Sequence, residues 1–327
     1  MVNLKKYKYD VRDCDVLDTP RLEQYREKRK FWIELLSDDE EHAIISQINQ
    51  MIWNDAVFRV VNHARKLSAK KTKKGARINN TVSDFIDQSY VSTQLLAIRR
   101  LAESSKRGDE VSLKRLVKDM KECTELFTRE NYVSYDGLPF DPDAARQRFL
   151  KNLPPSKLGP ATGSLPTDGP EAWGASDRAH LSFDRICLGE PSRSNRKQRL
   201  DPLIFDRLVK NLGACSRFEA IASKFVAHAA DQSSRQKLPR KQRSVTLAQV
   251  TRCHQAICRV AAFVYGPILY IGGFGLLPHA QFGHLKYLDE PWVDTQDLRK
   301  LEAFWHEHQE TVESWVSGDW IEKTGVG

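Results

Sequence analysis

The stretch that decides the fold is IISQINQMIWNDAVFRVV, residues 44–61. Its apolar residues recur every three or four positions, which is the spacing of one face of an α-helix. The members of this apolar series are Ile44, Ile45, Ile48, Ile52, Val57, Val60 and Val61. Because an amphipathic helix buries its apolar face against other elements, the stretch predicts a helix that packs in the core.

Helix-start signals and helical periodicity recur along most of the chain. Thr19-Pro20 predicts a helix to about residue 36, and the capping box at 37–40 predicts a helix to about Leu67 that contains residues 44–61. A second capping box, Thr246 to Gln249, opens another helix. Further helices are predicted at 80–102, 111–127, 141–150, 201–212, 215–230 and 294–316. Since no segment alternates as a strand does, apart from a short candidate at 267–271, the fold class is predicted to be all-α.

Residues 153–176 differ from the rest of the chain. They contain five prolines and four glycines, a composition typical of a flexible linker or long loop. Each helical half on either side has too few helices to cover its own apolar faces. We therefore expect residues 1–327 to form a single helical domain, an up-and-down bundle with a long Pro/Gly-rich loop between its halves.

The composition restricts the location and the cofactors. Hydrophobic residues make up 40% and charged residues 29% of the chain, as in soluble globular proteins. No run of about 18 apolar residues occurs, so no membrane partner is expected. The six cysteines show no paired short spacing, which favours free thiols in a reducing compartment and hence a cytoplasmic location. We expect no metal site and no cofactor.

The charge favours a polyanionic partner. Lysine and arginine number 51 against 43 acidic residues, which gives a formal net charge of +8. Basic residues are concentrated at 66–77, 193–199 and 235–243, where helical periodicity fails. Such loops either contact nucleic acid through its phosphates or are simply solvated.

One helix combines an apolar face with three polar residues. In residues 217–230, Lys224 and His228 are four positions apart, so an α-helix places them on one edge, and Asp231 follows three positions later. A cation, an imidazole and an orienting carboxylate can cleave a phosphodiester without a metal ion. The alternative is that His228 is a packed histidine bonded to a neighbouring carbonyl.

The same residues resemble a known motif. Residues 224–231, KFVAHAAD, are similar to the K-x-x-A-H-x-x-D stretch of the HEPN superfamily, closest to its abortive-infection U-type branch in bacterial phage defence. Residues 87–101 and 111–116 resemble the first conserved helix and the S-L-x-R-L opening of that branch. The resemblance covers about 50–125 and 200–265, under half of the chain, so the helices at either end are additions to it.

The resemblance implies a fold, an activity and partners. It implies a helical bundle that is often dimeric and that cleaves RNA without a metal ion in a defence or toxin–antitoxin setting. A homodimer and a partner protein of the same defence system are therefore candidates beside RNA. His228 would be the acid/base, Lys224 the cation and Asp231 the orienting group.

The chain departs from the nuclease pattern of this superfamily at one position. The pattern has an arginine separated from the histidine by four to six residues, a slot that falls on Ile221, Ala222 or Ser223 here, and none of these is basic. Arg217 lies eleven residues before His228, about 16 Å along a helix axis, which is too far for both to grip one phosphate. The second cation is then Arg99 or Arg100 from a facing helix, or Lys224 substitutes for it alone.

Two further alternatives remain open. The protein could be a non-catalytic RNA- or protein-binding module with a degenerate HEPN site, with Arg99, Arg100 and Arg217 as RNA contacts. Arg299 and His306 in the C-terminal helix also have the arginine-to-histidine spacing, although such a loose pattern often matches by chance.

Overall fold

The computed structural model describes most of the chain. The described residues are 7–39, 41–71, 80–103, 110–152, 166–226, 232–237, 239, 244–273, 275, 283, 285–288, 290 and 295–315. They divide into two compact units, Met1–Pro278 and His279–Gly327. The boundary follows Pro278, so the two helical halves predicted on either side of 153–176 lie in the same unit. That residues 1–327 form a single domain stays a prediction.

The first unit contains eleven α-helices among its described residues. These are α1 Thr19–Ile33, α2 Ile44–Lys71, α3 Asn80–Ala102, α4 Leu113–Glu122, α5 Arg129–Ser134, α6 Pro142–Asn152, α7 Trp173–Asp184, α8 Leu203–Leu212, α9 Ser216–Ile221, α10 Gln232–Gln236 and α11 Leu247–Phe263. The second unit contains α12, Leu298–Ser314. No helix in the described part of the chain is both long and apolar enough to traverse a bilayer.

The predicted all-α class is confirmed. The described residues form no strand, and two isolated antiparallel bridges, Thr128–Arg199 and Cys187–Leu200, are the strand-like pairings that they do form. The strand candidate at 267–271 is wrong, because Val264–Ile268 forms a π-helical turn that continues α11. Pro267 lies inside this turn, where its missing N–H prevents a regular α-helix.

The helix starts agree with the sequence signals to within a few residues. Thr246 and Gln249 form the predicted capping box of α11. At α1 the side chain of Asp18, and not Thr19, accepts the N–H of Arg21. Before α2 the Asp39 carboxylate, and not Ser37, accepts two backbone N–H groups, because Ser37 belongs to a π-helical turn after α1.

Three helices were missed, namely α5, α7 and the five-residue α10. Residues Trp173–Asp184 form α7, so the part of the predicted loop after 172 is wrong; residues 166–172 are irregular, and 153–165 lie outside the described residues. Arg129–Ser134 form α5, and all six of its residues are buried. Because this helix is buried on every side and four of its six residues are polar, its sequence shows no apolar stripe opposite a polar face and gives no amphipathic signal.

One apolar core joins both halves of the first unit. Trp32 of α1 stacks on Phe127 with ring centroids 4.9 Å apart, and Phe127 contacts Phe205 of α8. Helix α4 packs on α8, and α3 packs on α2, α9 and α11. The buried side chains include Leu95, Ile98, Leu116, Met120, Leu212, Phe218, Ile257 and Val260. Helices before and after residues 153–176 therefore complete the same core.

A buried arginine connects α5 to α7 and to the loop before α8. The side chain of Arg129 is fully buried. Its guanidinium lies 2.7 Å from the Asp184 carboxylate and donates to Gln198 Oε1 at 2.6 Å. His180 donates from Nε2 to the carbonyl of Phe140, so its Nδ1 can accept from Arg129. Burial lowers the pKa of His180, which agrees with a neutral ring.

We expect Arg129→Met to destabilise the protein strongly. The substitution leaves the Asp184 carboxylate and Gln198 without their cationic partner, and breaking a buried ion pair costs about 3 kcal/mol or more. Chemical denaturation measures this loss. The control is Lys121→Met, which removes an exposed ion pair with Asp206 and should cost below about 1 kcal/mol. Equal losses for the two variants would contradict a special role for Arg129.

Candidate functional site

The predicted site residues fall on and after the end of α9. Helix α9 ends at Ile221, and Ala222–Val226 forms a π-helical turn that contains Lys224. A π-turn bonds residues five apart, so the α-helical register assumed for Lys224 does not continue through it. His228 and Asp231 lie outside the described residues. Their alignment with Lys224 stays a prediction.

The facing helix carries the expected arginines. Helix α3 packs against both α9 and the π-helical turn. Near its C-terminal end, Arg99 is partly buried and Arg100 is exposed. Arg99 donates from Nε to the carboxylate of Glu103, one turn further along. Arg99, whose charge acts on Glu219 of α9, therefore has an acidic neighbour in this structure.

Arg217 makes a hydrogen bond that links two segments of the chain. Its guanidinium donates to the carbonyl of Ser244 at 2.8 Å, just before the capping box of α11. This bond fastens the start of α9 to the segment that leads into α11. In this geometry Arg217 acts as a link between two segments.

Four charged side chains from three helices form a cluster beside α9. The α3–α4–α9 cluster consists of Arg99, Glu103, Lys114 and Glu219. Glu219 Oε1 lies 3.9 Å from Lys114 Nζ, and the Arg99 and Glu103 charges also act on Glu219. Ser112 caps α4 by accepting the N–H of Arg115, which fixes the first turn that carries Lys114. The cluster therefore combines two cations and two carboxylates, and the charges of the other three members all act on Glu219.

Glu219 is the unusual member of the cluster. Its side chain is 20% exposed and that of Lys114 is 25% exposed. Burial raises the pKa of the Glu219 carboxyl, and Lys114 and Arg99 only partly oppose this, while Glu103 adds to it. A carboxyl with a raised pKa holds its proton more readily than an exposed one, and neighbouring cations can stabilise negative charge.

A second polar group lies where α2, α3 and α11 meet. His254 Nε2 pairs with Gln94 Oε1 at 2.8 Å, and the Asp55 carboxylate accepts from Tyr90 and from Arg59. Burial lowers the pKa of His254, and Asp55 only partly opposes this. These side chains satisfy one another between three helices, so they fit a structural role.

The basic stretches and the C-terminal pattern add little to the site. Only residues 193–199 lie wholly within the described chain, and there Arg193 pairs with Asp177 and Arg196 with Asp15. Arg299 and His306 both lie on α12 of the second unit. Neither region adds to the α3–α4–α9 cluster within the first unit.

Comparison with known proteins adds no family assignment. No protein-family model, no curated protein and no solved structure matches the chain. The described residues therefore carry the functional argument.

The sequence analysis missed Glu103, Lys114 and Glu219. Glu219 follows Phe218 and precedes Ile221 at the border of the apolar stripe, where a carboxylate is partly desolvated. Lys114 lies within the S-L-x-R-L segment at 111–116. The border position could have singled out Glu219, but its pairing with α4 depends on the tertiary fold.

We expect the free energy of unfolding of Glu219→Gln, relative to that of the wild type, to increase as the pH rises. A folded-state pKa above the unfolded value gives stability that is present at low pH and lost as the pH rises through the folded-state pKa. Glutamine does not ionise, so the variant keeps its stability over that range. Thermal unfolding of both proteins between about pH 4 and pH 8 measures the difference.

The matched control for this experiment is Glu27→Gln, an exposed glutamate of α1. Its stability relative to the wild type should change little over the same pH range. A constant difference between Glu219→Gln and the wild type would contradict the raised pKa.

Proposed function

We propose that the protein is a HEPN-like protein of a bacterial defence or toxin–antitoxin system that cleaves RNA without a metal ion. The observation that supports this is the half-buried Glu219 carboxyl, whose pKa burial raises while Lys114 and Arg99 lie beside it. The net charge of +8 favours the polyanionic substrate. A homodimer and a partner protein of the same system belong to this proposal.

The proposed reaction is attack of a ribose 2′-hydroxyl on the neighbouring phosphorus. Glu219 takes the proton of the 2′-hydroxyl, and a base is most effective when its pKa lies near the working pH. Lys114 and Arg99 stabilise the charge that develops on the phosphate oxygens. The bond to the 5′-oxygen breaks, and His228 gives that oxygen its proton. Asp231 orients His228 in this scheme.

The remaining cations bind the substrate in this proposal. Lys224 lies in the π-helical turn against α3, and Arg100 lies exposed at the end of α3. Both are suited to phosphates on either side of the bond that is cut, where contacts to the backbone position the strand. Arg217, which holds Ser244, is the weakest candidate for such a contact.

A second candidate function is a non-catalytic RNA- or protein-binding module. The observation that favours it is the pairing inside the cluster, where Arg99 is bonded to Glu103 and Lys114 lies beside Glu219. Cations already paired with carboxylates are less available to a phosphate. The absence of an arginine at 221–223, the positions that four to six residues separate from His228, points the same way.

One experiment separates the two functions. Purified wild-type protein is incubated with cellular RNA in EDTA, beside Glu219→Gln, Lys114→Gln and His228→Ala. We expect the wild type to cut RNA and each variant to lose activity, by about 100-fold or more for Glu219→Gln and His228→Ala, which remove a general base and a general acid. Fragment analysis of a labelled RNA measures the rates.

Two controls make the outcome decisive. Lys151→Gln changes an exposed lysine of α6 and should cut at the wild-type rate. RNA binding by each variant is measured in parallel by filter retention. Binding without cutting in the wild type supports the non-catalytic module, whereas equal cutting by wild type, Glu219→Gln and His228→Ala contradicts the proposed reaction centre.

A further inference from the structure

A cleft opens between the end of α7, the start of α8 and the end of α11. Its volume is about 300 Å³. Arg185, Arg207, Asp201 and Cys187 contribute polar groups, and Ile204 and Phe263 contribute apolar surface. The α3–α4–α9 cluster has no residue in this cleft, so an inference about it is independent of the proposed RNA cleavage.

Within the described residues, the two arginines of the cleft have no partner for their guanidinium groups. Both side chains are exposed, and within the described residues neither makes a hydrogen bond or an ion pair through its guanidinium. By contrast, Arg129, Arg193 and Arg196, which belong to nearby segments, are all in ion pairs. Each guanidinium offers several N–H donors in the planar arrangement that suits a phosphate, and both arginines line the same cleft.

The rest of the cleft suits the other parts of a nucleotide. Asp201 uses Oδ1 to accept the N–H of Leu203 at 2.9 Å, which holds its carboxylate at the start of α8. A fixed carboxylate can accept hydrogen bonds from ribose hydroxyls. Ile204 and Phe263 offer apolar surface for a flat ring. A volume of about 300 Å³ is at the lower end for ligand sites and favours one nucleotide over a longer ligand.

We propose that this cleft binds a nucleoside monophosphate. Arg185 and Arg207 hold the phosphate, Asp201 accepts from the ribose, and the base lies on Ile204 and Phe263. A free anion such as inorganic phosphate lacks the apolar part, and a nucleoside lacks the charge. The cleft therefore favours the molecule that carries both.

Cys187 supplies a reporter inside the cleft. It is half-buried, whereas the other five cysteines of the chain are buried. Its thiol donates to the carbonyls of Asp184 and Gly189 at 3.5 and 3.8 Å, so it is held at the wall of the cleft. A bound ligand would shield this thiol from a reagent in solution.

The experiment measures binding by titration calorimetry and shielding by alkylation of Cys187. The full chain is titrated with AMP, UMP, adenosine and inorganic phosphate in turn. Mass spectrometry of the Cys187 peptide follows its reaction with iodoacetamide at each ligand concentration. We expect AMP or UMP to bind and to slow the alkylation in a saturable way, and adenosine and phosphate to bind at least about tenfold more weakly.

Substitutions localise the effect. Arg185→Gln and Arg207→Gln should each weaken nucleotide binding about tenfold, the equivalent of about 1.4 kcal/mol. The matched control Arg178→Gln, an exposed arginine of α7 that does not line the cleft, should leave binding unchanged. The proposal is overturned if neither nucleotide binds at millimolar concentration. It is also overturned if phosphate alone binds as tightly, or if the arginine variants bind like the wild type.

Discussion

A charged guanidinium that is buried needs hydrogen-bond acceptors around it. In the first unit, Arg129 has such a buried guanidinium. Asp184 at the end of α7 and Gln198 in the following loop meet that demand. The backbone of the same loop then bonds to α5, because the N–H groups of Arg129 and Glu130 donate to carbonyls of 198 and 196. One charge thereby fixes how α5, α7 and the approach to α8 fit together.

The fold around Arg129 also positions the two surfaces for which we propose a function. The loop fixed by Arg129 leads directly into α8, and residues of this loop and of α8, with Phe263 of α11, line the cleft. Helix α8 packs on α4, whose first turn carries Lys114, and α3 packs on α9, which carries Glu219. The cluster and the cleft thus depend on the same core but share no side chain.

Much of the fold was accessible from sequence periodicity, and the exceptions have physical reasons. Helix α3 was predicted over the residues that it occupies, because one face of it is apolar and the other polar. In α7 the buried face includes the polar residues Ser176 and His180. Its buried positions are spaced as in a helix, but they do not form an apolar stripe in the sequence. The π-helical turn at Ala222–Val226 changes the register without any Pro or Gly to signal it. Sequence reasoning placed Arg99 opposite α9, but the approach of Lys114 to Glu219 is a long-range contact that periodicity does not encode.

The direction of the Glu219 pKa shift helps to distinguish a cluster that only stabilises the fold from one with a function. An ion pair that serves only stability lowers the pKa of its carboxylate, since the cation favours the charged form. At Glu219 burial outweighs two cations and the pKa is raised, so the charged carboxylate destabilises the fold at neutral pH. Lys114 Nζ lies 3.9 Å from Glu219 Oε1, beyond hydrogen-bond length, and does not offset the effect of burial on the pKa. Groups held at the expense of stability are concentrated at functional sites, which supports placing the proposed reaction at Glu219 and not at His254, whose polar neighbours bond to one another.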